Sequence, residues 1–448
     1  MKRSTIIFII IFVIFITNCN KNKEKTIQLD TKITPKQFTY AGGTPYRLDT
    51  RGLIPLDDNN PLYKKVKLPS GYDDLKLMVY HFQRYQYLYN KYLKGELSED
   101  KYQWYKSFES YNEEILTKEY VDEDLIIGVK LIKDSTIVFI DTDNDNELID
   151  EISYKFKNIN SLEEEKLERS KIKPTKVVFE YYDGKLIKKK TTHVRVNPCG
   201  FLHSHTIGGK KATVELELCE YLLGSIEIEK LKYPISISFY HSAGIYKNNN
   251  IIIHINETSR NSEPILNKKP IRYEIGDIIN LGEHDIKLKS IALSGESLTI
   301  IDLGINKNPI GVSVENHAPD FYVKDINNEY ISLNNIQSKY ILLDFWFTAC
   351  FPCRRELITI KELYNQYKKE DLAIIGIARE KNVNAFKKFI EEENLNWYQI
   401  MDSTETIISK YKVHSYPTTY IIDSKRKILF RNLRGEELSA KIKELIDK

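Results

Sequence analysis

The chain has 448 residues, enough at about 100–200 residues per domain for two or three domains, and 42% hydrophobic against 29% charged residues exclude disorder throughout. Lys+Arg 66 against Asp+Glu 63 leave a net charge of +3, so there is no global basic field and no nucleic-acid partner is expected. Five cysteines are too few for a disulfide-stapled scaffold, and each is read separately.

Lys2 and Arg3 precede an unbroken apolar run, Ile6–Ile16, of about 11 residues against about 20 for a spanning helix. The run reads as the core of a secretory signal, and Cys19 follows it after Thr17 and Asn18, ahead of the polar Asn20–Lys23. A lone Cys in that position resembles a bacterial lipoprotein box, although Asn18 stands where that pattern prefers a small residue. The resemblance implies a signal peptide over residues 1–19 with Cys19 lipidated. The rest would then be anchored to a membrane of the cell envelope, extracytoplasmic and facing the periplasm, with surface exposure as the alternative. Ordinary cleavage or an uncleaved anchor would leave Cys19 incidental and the chain on the same side.

Residues 20–37 are polar and Lys-rich, as a linker between lipid and folded body would be. Residues 38–124 are expected to be helical: Leu75, Met78, Val79, Phe82, Tyr85 and Leu88 recur at three- and four-residue steps. Over 125–310 short β-branched runs such as 125–131, 136–140, 176–181, 212–218, 235–240, 251–255 and 298–303 predict a mostly antiparallel β domain, a sandwich. Asp141, Asp143 and Asp145 alternate after one of these strands, a pattern that can converge oxygens on Ca²⁺. The likeness to an EF-hand loop ends at Asn146 and Ile152, where the turn Gly and bidentate Glu would stand, so a solvated acidic turn is favoured. Cys199 and Cys219 lie in adjoining segments; a structural disulfide in an oxidising compartment and two separate buried thiols both fit.

From about Ser313 strands and helices alternate: a strand at 340–347, a helix at 350–368, a strand at 372–378, a helix at 382–393, a hairpin at 418–422 and 427–431, and a helix at 436–447. This predicts an α/β sheet with crossovers. Cys350-Phe351-Pro352-Cys353 sits where the first strand passes into its helix. A Cys at a helix N-terminus meets the positive dipole end and unsatisfied N–H groups, which favour thiolate. A second Cys three residues on is one turn away, within reach of a disulfide; Pro352 suits the first turn, and Arg354 and Arg355 add positive charge. A zinc half-site has the same spacing, but no second Cys pair follows and His414 stands alone. Two buried structural thiols are the remaining alternative.

Residues 313–448 resemble a thioredoxin-fold domain of the TlpA-like (ResA-like) thiol–disulfide oxidoreductases, through His317–Phe321, Leu343–Cys353 and Tyr416–Asp423. A long separate region ahead of such a module resembles Bacteroidetes-type envelope lipoproteins. The family likeness implies a central mixed sheet flanked by helices, Cys350 as nucleophile, Cys353 as resolving thiol and Pro417 as a cis-proline beside the disulfide. Asp344 would be a buried carboxyl able to deprotonate Cys353, its alternative being a strand-end Asp facing solvent, and Trp346 the ring beneath the site. No cofactor beyond the dithiol is implied; the partners would be protein thiols and disulfides and an upstream membrane thiol reductant. Ala349 departs from the Trp often found before the first Cys, and Phe351 from the Glu some members carry between the cysteines. A peroxiredoxin reading fails, because Leu343 and Phe347 occupy the places of that family's Pro and Thr. The leading expectation is an envelope-tethered reductase of extracytoplasmic disulfides. The alternatives are a disulfide oxidant or isomerase, a ligand-binding lipoprotein dominated by residues 25–310, and a scaffold whose cysteines stay oxidised.

Overall fold

The computed structural model describes residues 23–33, 53–56, 62–109, 113–159, 161–198, 206–207, 210–211, 214–239, 245–246, 251–255 and 271–447. The signal peptide, Cys19 and Cys199 lie outside them. Among the described residues no helix is long and apolar enough to cross a membrane.

The segment expected to be a linker is built into two sheets. Lys23–Gln28 pairs antiparallel with Ser297–Ile305, and Asp30–Ile33 with Glu220–Ile228. Ladder hydrogen bonds are made by the backbone whatever the side chains, and edge strands favour charge, so a Lys-rich segment needs only Ile27 and Leu29 turned inward to join.

The helical expectation for 38–124 is corrected over its strongest stretch. Helices do form at Arg84–Leu93 and Glu99–Glu109, but Lys76–His81 is a strand. Leu75, Leu77 and Val79 fill one apolar cluster while Tyr80 and Phe82 fill another. A strand buried on both faces has no polar alternation, and its continuous apolar run imitates helical spacing. This strand is the second of a five-stranded antiparallel sheet that continues through Asp124–Ile132, Ser135–Ile140 and Ser153–Lys157, so the expected boundary at 124/125 falls inside a sheet.

Residues 125–310 are mostly β, with a helix at Leu162–Lys171 capped by Ser161. They do not form one sandwich. The five-stranded sheet shares a core with the sheet of Thr175–Tyr182, Ile187–Pro198 and Val214–Leu218, where Phe82 stacks on Phe179 at 4.0 Å. A second pair packs the Glu220–Ile228, Leu231–Phe239 and Ile251–Ile255 strands against Ile278–Leu281, His284–Ile291 and Ser297–Ile305. That second core runs on without a break through Val312, Ala318 and Phe321 to Leu343 and Phe345, so the two halves share apolar packing. Polar contacts cross the same seam: Lys412 Nζ lies 2.7 Å from Asp277, and the Tyr273 hydroxyl 3.0 Å from Ser313 Oγ.

The C-terminal domain has a five-stranded mixed sheet. In chain order it comprises β1 (Tyr340–Trp346), α1 (Phe351–Gln366), β2 (Leu372–Ala378), α2 (Val383–Glu392), β3 (Tyr398–Met401), α3 (Thr406–Lys410), β4 (Thr418–Asp423), β5 (Ile428–Arg431) and α4 (Gly435–Ile446). The order across the sheet is β3-β2-β1-β4-β5, parallel on the β3 side of β1 and antiparallel beyond it. β1, buried from Ile341 on, and the fully buried β2 are apolar almost throughout, as central strands covered on both faces must be. Asp344 is the one charged residue in either, which marks its position before any chemistry is considered.

Candidate active site

The site forms where β1 ends and α1 begins. Cys350 is the N-cap of α1, and its Sγ accepts the N–H of Cys353 at 3.2 Å, one of the helix's otherwise unmatched donors. Pro352 occupies the first turn, where its missing N–H costs nothing. Cys350 and Cys353 form a disulfide, the one described in the structure. Cys353 is 1% exposed and Cys350 5%, so reagents reach the pair from the Cys350 side, next to exposed Ala349 and Phe351.

The loop before the helix is held from several directions. The Thr348 N–H donates to Glu380 at 2.7 Å and its hydroxyl donates to the same oxygen at 2.5 Å. Arg354 braces the loop through an Nε–H donated to the Thr348 carbonyl at 2.8 Å, with its guanidinium 5.0 Å from the Phe389 ring. Trp346 is fully buried beneath the pair, its ring 5.8 Å from Phe386 and 5.6 Å from Phe389. Glycine at 376, beside Asp344 in the sheet, makes room for it: a Cβ there would meet Gln399 at 2.3 Å and the Trp346 indole nitrogen at 3.0 Å. Across the site the Tyr416–Pro417 peptide bond is cis, and Tyr416 packs edge-on against Phe347 at 5.2 Å.

Behind the disulfide sits a group of charges. Asp344 is 1% exposed, and its Oδ1 has no hydrogen-bond partner. Burial, reinforced by the nearby Glu356 carboxyl, pushes it up to about 8, and the Arg434 guanidinium pulls the other way. Glu356 is also raised by burial, against the Gly435 N–H that donates to it at 2.8 Å and against Arg434. Arg434 completes the group from the N-cap of α4 and donates through Nη2 to the Pro417 carbonyl. Glu356 carries a sequence signal that the motif reading overlooked: it follows Cys353 by three residues and so shares its helix face. Arg434 and Glu380 carry none, since both reach the site through the tertiary fold.

The other predicted positions lie elsewhere. Asp141, Asp143 and Asp145 come together, their carboxylate oxygens within 4.8 Å, but Asp141 is the buried centre of a turn and accepts the N–H groups of Asn144, Asp145 and Asn146 at 2.9, 3.2 and 3.0 Å. Those bonds account for both Asp141 oxygens by themselves. Cys219 is buried, with its thiol donating to the Glu217 carbonyl at 3.6 Å; Cys199, and with it the choice between a disulfide and two separate thiols, lies outside the described residues.

A cysteine pair at a helix N-terminus, backed by a proton-accepting carboxyl, can exchange disulfides with another protein using its own two sulfurs as the redox group. Comparisons agree. Residues 314–431 match the model of the AhpC/TSA family. Thiol-disulfide oxidoreductase ResA of Bacillus thuringiensis is 30% identical over 137 residues, 31% of this chain and 79% of the relative. Thioredoxin-like protein YneN of Bacillus subtilis is 34% identical over 123 residues, 27% of this chain and 71% of the relative. Among solved structures, the thioredoxin domain of a thiol-disulfide oxidoreductase from Bacteroides vulgatus is 28% identical and covers 30% of this chain and 99% of its own, with a TM-score of 0.29. Through its C-terminal third the chain therefore belongs to the thioredoxin-fold thiol–disulfide oxidoreductases of the AhpC/TSA family.

Proposed function

We propose that the chain reduces disulfides of extracytoplasmic proteins while tethered to the cell envelope through lipidated Cys19. In the cycle, the Cys350 thiolate attacks one sulfur of a substrate disulfide, forming a mixed disulfide and releasing one substrate thiolate. Asp344 takes the Cys353 proton. The Cys353 thiolate then attacks Cys350 Sγ, the bond from Cys350 to substrate breaks, and the second substrate thiolate leaves. Two electrons have passed to the substrate, and the Cys350–Cys353 disulfide awaits an upstream membrane dithiol donor.

The observation that carries the reductive direction is the carboxyl pair behind Cys353. The burial that holds Asp344 and Glu356 towards their neutral forms would likewise disfavour a thiolate at Cys353, with Arg434 opposing, and so makes the dithiol a better donor. Titrating the chain against glutathione or dithiothreitol tests this. A potential near about −270 mV supports the reductase, whereas about −120 to −180 mV makes it an oxidant or isomerase. The anchor is tested separately: labelled fatty acid should enter the unaltered chain and be absent from Cys19→Ala.

A further inference from the structure

Arg434 takes no part in the proton or sulfur transfers, although among the described residues it is the cation that acts on the carboxyl pair behind the disulfide. Three elements meet at it. Asp344 lies on β1, opposite Thr419 of β4 in the ladder, and Thr419 ties the approach to α4 by accepting the Asn432 N–H at 2.8 Å and donating its hydroxyl to the Leu433 carbonyl at 2.7 Å. Glu356 on α1 holds the next residue, Gly435, by its N–H. The guanidinium itself donates to the carbonyl of Pro417 in the loop beside the disulfide. Arg434 is thus fixed by backbone contacts on both sides, with its guanidinium on the Pro417 carbonyl and within electrostatic range of both carboxyls.

We propose that Arg434 is a positioning residue for this reaction: it supplies the counter-charge to the Asp344–Glu356 pair and ties that pair to the Pro417 loop. The inference rests on the oxidoreductase reading and deepens it, because it makes the strength of the base that deprotonates Cys353 depend on a residue remote in sequence. The charged groups facing Asp344 are Glu356 from α1 and Arg434 from α4, and those facing Arg434 are the same two carboxyls. Burial and Glu356 work to keep the proton on Asp344, and Arg434 works to remove it. An opposite charge in such surroundings moves a carboxyl by about 1–3 pH units.

The test uses the full purified chain. Single-turnover reduction of a peptide disulfide and the Cys350–Cys353 potential are followed across pH, and the break assigned to the carboxyl pair is located. In Arg434→Gln the break should rise by about one pH unit or more, with a correspondingly slower second step at pH 7. Arg434→Lys, which keeps the charge, should hold it near the parent value. Glu356→Gln should move it down, a sign that a merely structural role would not produce. Arg434→Met keeps the apolar stem and serves the same purpose should Arg434→Gln not fold. If the unaltered chain is active and the uncharged Arg434 variants give profiles that overlie its own, the role of Arg434 is overturned and the oxidoreductase reading stands. A chain with no reversible Cys350–Cys353 couple overturns both.

Discussion

Replacing Asp344 by Asn separates its cost to the fold from its value to the chemistry. The folded carboxyl is pushed from its ordinary 3.8 up to about 8, chiefly by burial. Because the folded value lies above the unfolded one, the favoured form is protonated. The contribution is fully present below about pH 3.8 and is lost progressively as pH rises towards 8. At 1.36 kcal/mol per unit, holding this group in the fold costs about 4 kcal/mol at pH 7. Asn has the same shape and no charge, but its buried amide gains donors without partners, at about 1–3 kcal/mol. Asp344→Asn should therefore be about 1–3 kcal/mol more stable than the parent at pH 7, and the advantage should vanish between about pH 4.5 and 6. Urea unfolding of the oxidised chain, read by tryptophan fluorescence, measures it, since Trp346 and Trp397 both lie in the domain concerned. The same change should slow the Cys353 step by at least about tenfold at pH 7, as expected for loss of a general base. A variant less stable than the parent at pH 7, or a stability difference that does not vary with pH, would refute the reasoning.

Other outcomes follow from single sites. Cys350→Ser should abolish peptide-disulfide reduction, whereas Cys353→Ser should accumulate a mixed disulfide visible by mass spectrometry under non-reducing conditions. Arg169 is 5% exposed between Glu165 and Glu215, so Arg169→Met should strand two buried carboxylates and cost the N-terminal region about 3–5 kcal/mol in denaturant titrations. Lys412→Met removes a partly exposed ion pair across the seam, worth at most about 1 kcal/mol, and should raise hydrogen exchange near Asp277 and His414 without changing the potential. A potential shift in that variant would mean that the N-terminal region acts on the disulfide.

Most of the C-terminal domain was legible because its signals are local. Central strands such as Leu372–Ala378 are continuously apolar, and Asn382 marks the start of α2 by accepting the Ala385 N–H at 3.0 Å. What escaped there is short: β3, the Tyr322–Lys324/Tyr330–Ser332 hairpin, and α3, whose start rests on the buried Asp402 carboxylate accepting the N–H groups of Thr406, Ile407 and Ile408. The N-terminal region was less legible for two opposite reasons. Lys76–His81 is buried on both faces and so lost its alternation, while Lys23–Gln28 is an edge strand and so looked like a tether.

The sequence by itself determined the reactive pair. Cys350, Pro352 and Cys353 lie within one helical turn, and the backbone geometry of a helix N-terminus brings the two sulfurs together wherever that helix is placed. Tertiary structure alone decided the electrostatics behind them. Asp344 becomes a proton acceptor near neutral pH because β2 and β4 flank it and α1 and α4 bring Glu356 and Arg434 beside it, groups as much as 90 positions apart in the chain. Desolvation and charge proximity depend on which segments pack together, and no periodicity along the chain records that.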